Sequence, residues 1–132
     1  PWIGQADLMH FAKLNGERIF GYYARHREIV CALAEVLSVI YSGVELGQIM
    51  GKKLKPEHTL ALFHDVSRQA TPVTELDRES ALRYLRKEEL PSDLFAEGTN
   101  LLTASGLPIG WLKRIGHRNN NLYPKEWRIL NV

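Results

Sequence analysis

The chain is expected to adopt an α+β fold built around a small mixed β-barrel with a few short helices. Three observations predict it. Asn15-Gly16 stands between two apolar or alternating runs, and both central positions of a tight hairpin turn favour positive φ, so strands follow at about 9–14 and 17–23. Residues 26–37 and 77–90 carry apolar side chains at helical spacing. The last quarter alternates short β-patterned runs with Gly and Asn turn residues.

In chain order, HREIVCALAEVL (26–37) places Ile29, Val30, Leu33, Val36 and Leu37 on one face, predicting a helix with that face buried and Cys31 as a small buried or half-buried thiol. SVIYSG is β-branched and aromatic and predicts a short strand ending at Gly43. VELGQIMGKKL predicts the next strand, with Gly47 and Gly51 at bends. Pro56 is expected to open a helix over PEHTLALFH, since its missing N–H costs little in a first turn. Residues 65–76 are polar, aperiodic and contain Pro72, the pattern of a linker. Asp77 is a good N-cap for the helix that follows, with Leu82, Leu85 and Tyr84 as its buried stripe and Pro91 as its stop. TNLLTAS reads as a strand, and Ser105-Gly106 as a turn. The order expected is β β α β β α, linker, α β β and a final short strand. Two lobes, 1–72 and 73–132, or one integrated domain both fit this order.

The chain is organised around Gly106 to Arg128. Leu107, Ile109, Trp111 and Ile115 give an imperfect strand alternation. HRNNNLYPKEW then reads as an open loop before a return strand, because Asn competes for its own backbone and Pro lacks an N–H. Lys113, Arg114, Arg118, Lys125 and Arg128 face a single acid, Glu126, with Trp111, Tyr123 and Trp127 interleaved. Cations hold phosphates and aromatic faces stack on bases, so this is a nucleic-acid pattern; a solvated basic loop on a packed domain gives the same one. Lys52, Lys53 and Lys55 form a second basic cluster, read either as phosphate contacts or as charges that keep a strand edge unpaired.

With 132 residues, 45% hydrophobic and 24% charged, the chain has the composition of an ordinary globular protein. Its net charge is only +2, so any nucleic-acid preference must come from local patterning. No apolar run approaches the ~20 residues of a membrane span, and no membrane partner is expected. The start lacks the basic and apolar regions of a signal peptide. One cysteine excludes an internal disulfide framework and fits a cytoplasmic setting. The start at Pro1 is expected to mark a piece cut from a longer polypeptide. No glycine-rich loop joins a strand to a helix, so no cradle for a dinucleotide or S-adenosylmethionine is readable. His10, His26, His58, His64 and His117 show no zinc spacing. No catalytic residue, metal ligand or cofactor site is therefore assigned.

Gly106-Leu-Pro-Ile-Gly-Trp-Leu-Lys113 followed by Asn121-Leu-Tyr-Pro-Lys-Glu-Trp-Arg128 resembles the end of the RsmF-type (Sun-type) bacterial ribosomal-RNA cytosine 5-methyltransferases. ALRYLRKEEL (81–90) is similar to the helix opening their PUA-like unit, and YSGVELGQIMGKKLKPEHTLAL (41–62) to the segment before it. Leu112, where a small residue is common, and Glu126 depart from the pattern. The resemblance implies a PUA-like, RNA-binding C-terminal portion over 73–132. The S-adenosylmethionine fold and the two active-site cysteines would lie in a catalytic domain absent from this chain.

It also implies roles. Lys113, Lys125 and Arg128 would contact phosphates, supported by Arg114 and Arg118, although Arg128 could instead pair with the acidic helix. Tyr123 and Trp111 would offer stacking faces, although Trp111 also fits a core. Asn121 would read a base or a 2′-hydroxyl, or serve as a turn residue. Ribosomal RNA and a tethered methyltransferase domain are the partners expected. The rival readings are a scaffold domain packed on the catalytic domain and a free-standing small RNA-modifying enzyme.

Overall fold

A computed structural model describes residues 1–14 and 16–130. The chain divides into two compact units, Pro1–Val66 and Ser67–Val132. Each holds one four-stranded sheet whose strands lie side by side in sequence order. Among the described residues neither sheet closes, so the expected barrel is replaced by two open sheets: the outer strands of each share no ladder. Four strands are too few to curl round a packed interior.

In the first unit β1 (Met9–Leu14) and β2 (Arg18–Tyr23) form the expected antiparallel hairpin. Of its turn pair, Asn15 lies outside the described residues, and Gly16 has φ +92°. β3 (Val44–Met50) and β4 (Lys53–Pro56) complete the sheet. The run read as one bent strand is thus a hairpin turning at Gly51. Gly47 is required where the two strands meet, since a Cβ there would stand 2.2 Å from the Lys55 carbonyl oxygen. Pro56 ends β4 rather than opening a helix: a strand end tolerates its missing donor, and α2 (His58–Leu62) starts after Glu57. SVIYSG is not a strand, because β2 and β4 already occupy both edges of β3. Its Tyr41 ring instead meets Phe20 edge-on, 5.7 Å away, beside the guanidinium of Arg18. That guanidinium grips Glu45 through two 2.6 Å bonds, which keeps the buried carboxylate paired.

α1 (Arg27–Val36) forms where its periodicity predicts, but its apolar stripe is not covered within the unit. Ile29 is 61% and Val36 77% exposed, and Cys31 is exposed rather than buried.

His58 is buried, its Nδ1 has no hydrogen-bond partner, and burial lowers its pKa from the ordinary 6.5. The unfolded chain therefore takes up a proton before the folded one does. This contribution to stability is complete above about pH 6.5 and is lost as pH falls toward the lower folded value. Urea melts should show stability dropping between pH 7.5 and 5, with a shallower drop in His58→Gln. Equal slopes in the two proteins would remove His58 as the cause.

In the second unit β5 (Val73–Leu76) pairs parallel with β6 (Gly98–Ala104). The last third of the expected linker is therefore an edge strand. β7 (Leu107–Ile115) and β8 (Arg118–Asn121) follow antiparallel. The Ser105-Gly106 turn has both residues at positive φ, 50° and 76°. α3 (Arg78–Leu85) is capped as expected, the Asp77 carboxylate accepting from Ser80 N–H at 2.9 Å. Its buried face is Ala81 and Tyr84 rather than Leu82 and Leu85, which are half-buried. Tyr84 packs with Leu76, Leu90, Phe95, Leu102 and Leu112.

The helix ends six residues before Pro91. The N–H of Glu88 bonds the Arg83 carbonyl at 2.9 Å and that of Lys87 the Tyr84 carbonyl at 3.0 Å, a Schellman ending with Lys87 at φ +60°. The three asparagines do not form an open loop. Asn119, Asn120 and Asn121 sit in β8, and the final strand expected after them is a single 3-10 turn, Lys125–Trp127.

Candidate nucleic-acid interface

The end of α3 holds the C-terminal segment in place. Lys87 Nζ donates to the carbonyls of Asn121 (2.8 Å) and Tyr123 (2.6 Å). Asn121 Nδ2 donates to Tyr84 O at 2.8 Å, and Asn121 Oδ1 accepts from Tyr123 N–H at 2.9 Å. Ile129 N–H bonds the Leu85 carbonyl at 3.2 Å. The last carbonyls of α3 are thus satisfied by the segment they anchor. The Tyr123 ring meets Tyr84 edge-on at 5.6 Å.

These contacts reassign several residues. Asn121 is a structural clasp with both ends of its amide engaged, not a free base reader. Trp111 is 1% exposed, so its ring belongs to the core and presents no stacking face. Arg114 donates to Phe95 O at 2.6 Å and to Gly116 O at 2.8 Å, with Glu97 3.8 Å away. It secures the β7–β8 turn instead of waiting for a phosphate. Tyr123 is half-buried against the core.

The remaining cations are presented outward. Lys113, Arg118, Lys125 and Arg128 are exposed, and none of their side chains makes a hydrogen bond or ion pair with a described residue. Register orders two of them: Thr99 lies opposite Lys113, Lys113 opposite Asn120, and Ile115 opposite Arg118. Opposed residues share a face, so Lys113, Ile115, Arg118 and Asn120 form one strand-mounted patch. Lys125 and Arg128 lie close enough to Lys87 for their charges to act on it. Burial first, then these two cations, lowers the Lys87 pKa against the pull of Glu126. Mutual repulsion among three cations favours a bound anion. Lys52, Lys53 and Lys55 are exposed in the first unit at and beside the edge strand β4.

Lys87, Asn119 and Asn120 were not singled out from sequence. Alternation along Asn119-Asn120-Asn121 was the available signal, since the first and third must point the same way in a strand. Asn119 Nδ2 indeed reaches the Leu90 carbonyl at 2.9 Å. No group of three potential metal ligands occurs among the described residues.

Fold and surface together define a small α+β binding module with its cations mounted on a strand pair and an anchored turn. Residues 71–129 match the family model described as the methyltransferase RsmF PUA domain. This part of the chain is a PUA-like region of the RsmF-type methyltransferases, and it spans β5, α3 and β6 to β8. No curated protein matches the chain.

Proposed function

We propose that the chain is a non-catalytic RNA-binding module that positions ribosomal RNA for an S-adenosylmethionine-dependent cytosine 5-methyltransferase domain on the same polypeptide. The observation that carries this reading is that the region matching the RsmF PUA model also holds the unpartnered cations Lys113, Arg118, Lys125 and Arg128. Phosphate contacts set the register of the RNA, and polar groups beside them meet exposed bases. Tethering raises the concentration of RNA at the catalytic domain. The chain itself needs no cofactor; S-adenosylmethionine belongs to the catalytic domain. Lys52, Lys53 and Lys55 are the phosphate-contacting cations proposed for the first unit, taken by itself. No helix among the described residues is long and apolar enough to cross a membrane, and the site of action proposed is the cytoplasm.

The test is binding of this chain to ribosomal-RNA fragments across a salt series. Log affinity should fall with log salt with a slope magnitude of about 2–4, the release expected from roughly 3–5 neutralised phosphates. A flat salt dependence, or no binding at low salt, would sink the reading. The exposed stripe of α1 supports a second one, in which the chain is a scaffold packed on the catalytic domain. A pull-down with that domain, lost in Leu33→Glu, would then be the expected result.

A further inference from the structure

A pocket of about 310 Å³ lies in the second unit between the residues that follow α3 and strand β8. We propose that it receives one unpaired nucleobase bearing an amino group, while the phosphates on either side stay on the cation patch; the proposal rests on the RNA-binding reading above. Arg118 joins the two, since it lines the pocket and also belongs to the strand-mounted patch. The volume is at the small end of the range for ligand pockets. Leu90 and Leu112 supply apolar wall against which a base can lie.

The charge of the wall selects the base over the backbone. Glu88 and Glu89 line it together with Lys87 and Arg118. Lys87 Nζ is already engaged by the carbonyls of Asn121 and Tyr123, so the two carboxylates leave the wall without a surplus of positive charge to hold a phosphate. Glu88 is held between Arg83 and Arg86, each 3.9 Å away. Glu89 has no such partner and is exposed, so its carboxylate is a free acceptor at the rim. A second acceptor lies deeper. The bond from Asn119 Nδ2 to Leu90 O fixes the amide so that Oδ1 is the unused end, and Oδ1 is shut from solvent with no partner. A buried acceptor without a donor is costly. A base amino group entering past Glu89 satisfies it, after a side-chain rotation that uncovers it.

Carboxylate and amide oxygens accept from the amino groups of cytosine, adenine and guanine. Uracil offers a single N–H flanked by two carbonyl oxygens, which a carboxylate repels. The pocket therefore discriminates against uracil.

The experiment compares, at low salt, affinity for a short oligouridine and for the same oligomer with one central cytidine, adenosine or guanosine. The substituted oligomers should bind about tenfold more tightly, within the range for a paired base-edge contact. In Glu89→Ala, which removes the acceptor, the ratio should fall toward one; Glu89 is exposed, so folding is not at stake. A ratio of one in the unaltered protein, with salt-dependent oligouridine binding intact, overturns the pocket and leaves the RNA-binding reading standing. A preference that survives Glu89→Ala also overturns the pocket. Failure of every oligomer to bind removes both.

Discussion

Reversing Lys113 and Lys125 to glutamate together should lower affinity for a ribosomal-RNA fragment on the order of 10- to 100-fold and reduce the salt slope by about 2, because two phosphate contacts become repulsions. Both side chains are exposed and make no hydrogen bond or ion pair with a described residue. Stability should therefore stay within about 0.5 kcal/mol of the unaltered protein, and circular dichroism and a thermal melt establish that the fold is intact. Arg114→Glu is the informative contrast. It breaks the bonds to Phe95 O and Gly116 O, so it should destabilise the β7–β8 turn as well as weaken binding. Unchanged RNA affinity in the double reversal, measured on folded protein, would remove the phosphate clamp from the mechanism.

Tyr84→Ala should be the most damaging single change in the second unit. Tyr84 is fully buried among Leu76, Leu102 and Leu112, and its hydroxyl donates to the Trp111 carbonyl at 2.9 Å. Burial pushes the phenol pKa well above its ordinary value, so the group is always a donor here. Truncation leaves a cavity and should cost about 3–5 kcal/mol, a large share of the stability of a small domain. Tyr84→Phe keeps the ring and should cost only about 1 kcal/mol, since Trp111 O still accepts from Leu122 N–H at 3.1 Å. Urea melts of the two variants separate packing from hydrogen bonding. A Tyr84→Ala protein as stable as Tyr84→Phe would refute the central place given to this ring.

The parts of the molecule that were legible in sequence are those where local chemistry and tertiary packing agree. The β1–β2 hairpin, the Asp77 cap, β6 and β7 follow from turn and pattern signals that packing then reinforces. Elsewhere a partner distant in sequence decided the outcome. Residues 73–76 look like linker because β5 is an edge strand, half of whose side chains face water, and only its parallel partner β6 defines it. The Asn run looks like loop because nothing local shows that Leu90 O and Tyr84 O are waiting for its amides. Lys87 could not be found at all: a lysine closing a helix at positive φ has no pattern, and its role is created by two carbonyls more than thirty residues away. At the site, the cations of the basic run were visible, but not their division. Sequence gives charge, whereas register and hydrogen bonding decide that Arg114 is occupied and Lys113 is presented.

The one parallel pair in the second unit also governs how that unit comes together in time. The β6–β7 and β7–β8 ladders close over short turns and can form within microseconds. β5 can join β6 only after the chain has traversed α3 and the segment to Phe95, so its pairing must first overcome the entropy of a long closure. The antiparallel hairpins are therefore the early structure, and the arrival of β5 with its crossover helix is the late event. Since α3 brings Lys87 with it, the clasp on Asn121 and Tyr123 closes in that same last step. A nascent or locally opened chain would hold its strand-borne cations in order before its C-terminal ones.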